Sequence, residues 1–146
     1  MTVRRMEHVG IVVSDLAAAQ RFFLALGLKL LGEWSGGGES VDRIVGLEGV
    51  QTDAAMMEAA DGGGQLELIQ FNAPPLRPGD AHASANTAGL RHLAFAVDDI
   101  DATLAALQDH GAELIGEVVR YGDSYRLCYV RGPEGIIVEL AEAITG

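Results

Sequence analysis

The feature that most constrains this chain is that it repeats itself. Shifted by 84 residues, positions 6–34 ("MEHVGIVVSDLAAAQRFFLALGLKLLGEW") align without a gap on positions 90–118 ("LRHLAFAVDDIDATLAALQDHGAELIGEV"). Identical residues pair at His8/His92, Val13/Val97, Asp15/Asp99, Ala18/Ala102, Gly27/Gly111, Leu30/Leu114, Gly32/Gly116 and Glu33/Glu117. Eight identities spread evenly over 29 positions point to duplication of one structural unit. The match resumes with an offset of 72, where "GGQLELIQF" (63–71) meets "GIIVELAEA" (135–143) and pairs Gly63/Gly135, Glu67/Glu139 and Leu68/Leu140. The first copy is therefore longer by twelve residues, which fall in the glycine-rich and acidic stretch 35–53. An insertion of that composition suits a loop or lid at a sheet edge, with a short helix near 40–46.

Each copy follows the same local physics. An apolar strand ends at an acidic helix cap, Asp15 or Asp99, and a helical pattern follows. It places Leu16, Ala19, Phe23 and Leu26, or Ile100, Leu104 and Leu107, on one face. Gly27 and Gly111 are expected to end the helices in the left-handed conformation. Strands are predicted near 3–13, 28–34, 54–59 and 65–71, then 90–97, 112–119, 124–131 and 136–142, with helices over 15–26 and 99–110. The fold class expected is α+β, two tandem βαβββ modules forming a curved mixed-sheet cup. Module 1 covers 1–72 and module 2 covers 90–146. A linker at 73–89 lies within a stretch holding all but one of the four prolines.

Strand alternation assigns faces. Val9, Ile11 and Val13 should meet the helix while His8, Gly10 and Val12 face away; Leu93, Phe95 and Val97 repeat this against His92, Ala94 and Ala96. Glu67 points away from Leu66 and Leu68, and Glu139 away from Val138 and Leu140. Two histidines and two glutamates thus occupy repeat-equivalent, non-helix faces with small neighbours. Such groups either form two hydrogen-bonded His–Glu pairs or converge on one divalent metal, since buried carboxylates need cations and imidazole is a common ligand.

Composition narrows the partners. A net charge of −11 opposes nucleic acid and anionic membrane surfaces. No apolar run approaches the ~18 residues of a membrane span, and the N-terminus reads as strand rather than secretory signal, so a cytoplasmic protein is expected. The lone Cys128 excludes an intramolecular disulfide and reads as a buried, inert thiol. Glu39, Asp42 and Glu48 in the insertion are offered as a second base or as plain solvated charges. Register leaves the arginines 120, 126 and 131 and the tyrosines 121, 125 and 129 unassigned.

The segments "EHVGIVVSDLAAAQRFFLALGL", "LELIQF", "RHLAFAVDDIDATLAALQDHG" and "VRGPEGIIVELAE" together resemble the vicinal oxygen chelate superfamily, which includes glyoxalase I, methylmalonyl-CoA epimerase, extradiol dioxygenases, and fosfomycin and bleomycin resistance proteins. The resemblance implies one divalent metal ion (Zn, Ni, Co, Mn or Fe) on His8, Glu67, His92 and Glu139. It implies an isomerase, epimerase or lyase moving a proton next to a carbonyl, with Glu139 and Glu67 as the bases and a small substrate with vicinal oxygens. The alternatives are a non-catalytic small-molecule-binding or antibiotic-resistance protein, and an Fe(II) extradiol-type dioxygenase. A homodimer is expected, as in other members.

Overall fold

A computed structural model describes residues 1–144 of the 146-residue chain. Contacts divide it into two compact units, Met1–Pro78 and Gly79–Gly146. The first contains β1 (Val9–Val12), α1 (Leu16–Leu26), β2 (Lys29–Gly37), α2 (Glu39–Val45), β3 (Gln51–Glu58) and β4 (Gln65–Ala73). The second contains β5 (His92–Ala96), α3 (Ile100–Gln108), β6 (Glu113–Tyr121), β7 (Tyr125–Arg131), a single 3-10 turn at Pro133–Gly135, and β8 (Ile137–Ala143). Each unit has one four-stranded mixed sheet, ordered β1-β4-β3-β2 and β5-β8-β7-β6. In each, the first strand runs parallel to the last and every other neighbour is antiparallel. No helix among the described residues is long and apolar enough to cross a membrane.

The helices start as the sequence dictates. Asp15 accepts a hydrogen bond from the Ala18 amide (3.0 Å), and Asp99 accepts one from the Ala102 amide (2.9 Å). A second acceptor reaches each helix start from the last strand of its sheet: Leu16 N–H donates to Gln70 Oε1 and Ile100 N–H to Glu142 Oε2, both at 3.0 Å. The apolar helix faces then close over the sheets. Ala19, Phe22 and Phe23 are buried with Met57 and Leu68 in the first unit; Ile100 and Leu107 are buried with Val130, Val138 and Leu140 in the second. Phe22 and Phe23 meet edge to face, with ring centroids 5.2 Å apart.

Three boundaries differ from expectation. The first strand begins at Val9 rather than near residue 3, because the parallel ladder to β4 begins at the Val9/Leu66 pair, and exposed Arg4 and Arg5 precede it. Gly27 caps α1 as expected, at φ 114°. By contrast α3 ends two residues earlier than expected, at a right-handed Asp109, and Gly111 (φ 82°) makes its reversal inside the following turn. The insertion also lengthens the β2–β3 ladder, pairing Ser35, Gly36 and Gly37 with Asp53, Thr52 and Gln51, before folding into the short helix α2. The first unit is therefore βαβββ with the expected short helix added between its second and third strands.

Candidate functional site

His8 stands immediately before β1, and Glu67 lies in β4 opposite Gly10. The alternation expected of β4 holds: Leu66 and Leu68 are buried while Glu67 is half-buried on the other face. Gly10 lacks a side chain on that face, so the carboxylate has room beside the strand. His8 Nε2 and Glu67 Oε1 are 3.9 Å apart, with side chains 35% and 22% exposed.

The second unit repeats this arrangement. Ala94 lies opposite Glu139 in the parallel β5–β8 pair, as Gly10 lies opposite Glu67. His92 Nε2 is 3.4 Å from Glu139 Oε1, with side chains 37% and 21% exposed. Both copies thus leave an imidazole and a carboxylate exposed to nearly the same extent. Among the described residues no group of three or more His, Cys, Asp or Glu side chains is assembled as a metal site. What the structure brings together is one His–Glu pair in each unit.

Register settles residues that the sequence left open. On β7, Cys128 and Val130 are buried on the helix side, so Tyr129 faces the other way, directly opposite Glu139. Its ring packs on His92 with centroids 4.8 Å apart and planes tilted by 39°, and its hydroxyl lies 3.4 Å from Nδ1 and 3.5 Å from Nε2. These distances exceed an ordinary hydrogen bond, so the contact chiefly holds the imidazole by packing. The position opposite Glu67 in the first unit is Met56, which offers no hydroxyl. Tyr129 is thus a site residue that sequence reasoning missed; alternation read backwards from Cys128 and Val130 would have found it.

The arginines of the last hairpin have structural work. Arg126 donates to Asp101 at 3.0 and 3.2 Å and to Glu142 at 3.3 Å. This bond to Arg126 lowers the Asp101 carboxyl below its ordinary value and raises the guanidinium in turn. Arg131 donates to the carbonyls of Ala83 (2.9 Å), Gly135 (3.3 Å) and Ala81 (3.4 Å), fastening the segment that leads into β5.

In the insertion, Asp42 is committed to the backbone. Its two oxygens accept from Gly49 N–H (2.9 Å) and Val50 N–H (2.8 Å), which fixes the return from α2 to β3. Glu39 and Glu48 are exposed. The insertion therefore closes the loop with Asp42 instead of presenting it as a base.

Two concavities occur in the first unit. A wide polar cleft of about 540 Å³ runs beside α1 and includes Asp15, Glu33, Asp53 and Gln70. Bonds from Ser35 Oγ (2.6 Å) and Asn72 Nδ2 (2.9 Å) hold the Asp53 carboxyl below the usual range. The other cavity, about 160 Å³, lies on the opposite sheet face and includes Glu67. The larger is farther from the His–Glu chemistry, so size does not identify the site.

Residues 7–129 match the family model described as Glyoxalase/Bleomycin resistance protein/Dioxygenase superfamily. The chain is 34% identical over 144 residues to the uncharacterized protein YaeR of Escherichia coli K12, covering 96% of this chain and 97% of that protein. Among solved structures, a glyoxalase family protein from Bacillus cereus is 43% identical, with a TM-score of 0.95 and coverage of 99% of this chain and 97% of that one. At 16% identity and a TM-score of 0.61, the fold is also that of a mutant fosfomycin resistance protein from Listeria monocytogenes complexed with Mn(II) and 1S,2S-dihydroxypropylphosphonic acid, covering 95% of this chain and 90% of that one.

Proposed function

Because the chain belongs to the Glyoxalase/Bleomycin resistance protein/Dioxygenase superfamily, we propose that it is a divalent-metal-dependent isomerase, epimerase or lyase that transfers a proton at a carbon next to a carbonyl. Its substrate is a small molecule with two neighbouring oxygens. The observation that carries this reading is the double construction of the His–Glu pair, at equivalent register and with equal exposure in both units.

The donor chemistry fits such an ion. Two imidazole nitrogens and two carboxylate oxygens, with no thiolate, suit Zn, Ni, Co, Mn or Fe. His8, Glu67, His92 and Glu139 would hold it. A fold relative complexed with Mn(II) supports an ion of this class. When bound, the metal supplies Lewis-acid polarisation of the substrate's oxygens, an effect of several kcal/mol.

The chain's own residues then handle the proton. One glutamate, Glu139 or Glu67, accepts it from the carbon, whose C–H electron pair is delocalised toward the carbonyl oxygen. The other carboxylic acid can return a proton from the opposite side, which inverts that centre; return by the same group moves the proton along the substrate. Tyr129 keeps the His92 ring oriented. We also propose that the protein works in the cytoplasm, consistent with its single buried free thiol, and as a homodimer, since the open edges of its four-stranded sheets invite pairing.

Elemental analysis of protein purified without tag or chelator tests the centre. About one equivalent of transition metal per chain is expected, and His92→Ala should lose it. A wild type that carries no metal and takes up none of added Zn, Ni, Co or Mn overturns the enzymatic reading in favour of a ligand-binding module. With metal retained, Glu139→Gln and Glu67→Gln should each abolish proton exchange at the substrate carbon; full turnover in both would remove the glutamates as bases.

A further inference from the structure

The insertion that distinguishes the two units also builds a wall. In the first unit α2 lies over the sheet face that carries Glu67, and between them is a cavity of about 160 Å³. Its apolar lining comes from Trp34 on β2, Val41 and Val45 on α2, and Ile69 and Phe71 on β4, with Glu67 as its charged member. Ile69 and Phe71 follow Glu67 at alternate positions, so all three present the same strand face. Val41 and Val45 are four residues apart and share one side of α2, while Ile44 points outward at 81% exposure.

We infer that this cavity is a binding pocket for a compact apolar group on the substrate, about the size of a six-carbon ring, and that α2 sets the selectivity of the site through Val41 and Val45. The inference rests on the proposed role of Glu67. Three observations support it. The volume matches an apolar cavity of about 150 Å³ known in another protein to take up benzene. Trp34, 42% exposed, lines this cavity as well as the cleft beside α1 and brings the largest apolar side chain to its wall. And the second unit has no such wall: β6 and β7 are joined directly through Gly122–Ser124, and Glu139 is faced by Tyr129 instead. The two carboxylates therefore have unlike surroundings, one apolar and one phenolic, which suits a substrate with one apolar end.

Trp34 is the chain's single tryptophan; because it lines both this cavity and the cleft beside α1, variants confined to α2 assign a change in its emission to the cavity. The test titrates chelator-treated protein with ethanol, 2-methylpropan-1-ol and cyclohexanol, following that emission. A saturable change is expected, with the dissociation constant falling about fourfold for each methylene buried and by at least tenfold from ethanol to cyclohexanol. Val41→Phe, which fills the space, should weaken cyclohexanol binding at least tenfold; Ile44→Phe, on the outer side of the same helix, should leave it within twofold. Should Val41→Phe fail to give a native circular-dichroism melt, Val45→Thr replaces it, introducing a hydroxyl at nearly constant volume and weakening binding severalfold. A linear, unsaturable response, affinities that do not rise with probe size, or a folded pocket variant that binds like wild type would overturn the proposal. Since no metal is present in the assay, a negative result removes the pocket alone, whereas a metal-free native protein removes the catalytic reading alone.

Discussion

Asp42 offers the sharpest check on how the insertion is held. In Asp42→Ala two backbone donors lose their acceptor, but not at equal cost. Gly49 is exposed and its amide returns to water, at a cost of roughly 0.5 kcal/mol. Val50 is only 2% exposed, so its N–H has little access to water, and leaving it unpaired costs about 1–3 kcal/mol. The sum is a loss of about 2 kcal/mol, or a fall in melting temperature of about 6 °C for a chain of this length. Asp42→Asn keeps one carbonyl oxygen, which can serve the Val50 amide, and should lose about half as much. Urea titrations followed by circular dichroism give the free energies, and hydrogen exchange locates the change: the amides of α2 and of Val50 should exchange faster while those of α1 do not. An alanine variant within 0.3 kcal/mol of wild type, or an asparagine variant as unstable as alanine, would refute the assignment of Asp42 as the clamp of this loop.

Other residues make separate predictions. Burial pushes the Cys128 thiol up, against a smaller opposing effect of its hydrogen bond with the Leu140 backbone. Its contribution to stability is complete below the ordinary thiol pKa and is lost as pH rises through the raised folded value; Ellman's reagent at pH 8 should therefore label it only after denaturation. The Asp53 carboxyl, lowered by Ser35 and then by Asn72, stabilises the fold fully above its unfolded pKa and loses that effect as pH falls through its folded value. Asp53→Asn should accordingly flatten the acid limb of a stability–pH profile, and an unchanged limb would count against the bond network. Gly135 has φ 86°, and a Cβ there would collide with the backbone of Ala81. Gly135→Ala should destabilise the second unit by more than about 1 kcal/mol, since both the backbone strain and the displaced segment contribute; a variant as stable as wild type would show that the segment yields freely.

What could be read before the structure was what depends on short-range chemistry. The acidic caps at residues 15 and 99, the short helix in the insertion and the alternating faces of β4 and β8 all follow from spacing within a few residues. Tyr129 and the start of β1 depend instead on partner strands. β1 begins where its ladder to β4 begins, at Val9/Leu66, and although alternation from Cys128 and Val130 gives the face of Tyr129, its place opposite Glu139 and beside His92 depends on the β7–β8 register. A bulge between Ile115 and Val119 shifts the β6–β7 ladder by two residues as well, so counting along β6 keeps the faces of β7 but sets the wrong partners opposite one another. Asp42 was legible as an acidic loop residue but not as a clamp, because its two partners lie seven and eight positions away across a turn that composition does not specify.

The balance between likeness and difference in the two units is itself an argument about function. Were the His–Glu pairs only structural, the surroundings of each would have to supply their stability, and those surroundings differ: Met56 against Tyr129, and a helix-bearing insertion against a three-residue connection. Yet the pairs keep the same strand register and nearly the same exposure. A partly exposed imidazole and a half-buried carboxylate 3.4–3.9 Å apart, both still in reach of water, contribute little to folding, about 1 kcal/mol. A geometry kept fixed where the folding energy is small, while the neighbours diverge, is what the proposed metal-binding role of the pairs would require. Under the proposed function, the divergent neighbours, Tyr129 in one unit and the α2 wall in the other, would let the two pairs treat the ends of an asymmetric substrate differently.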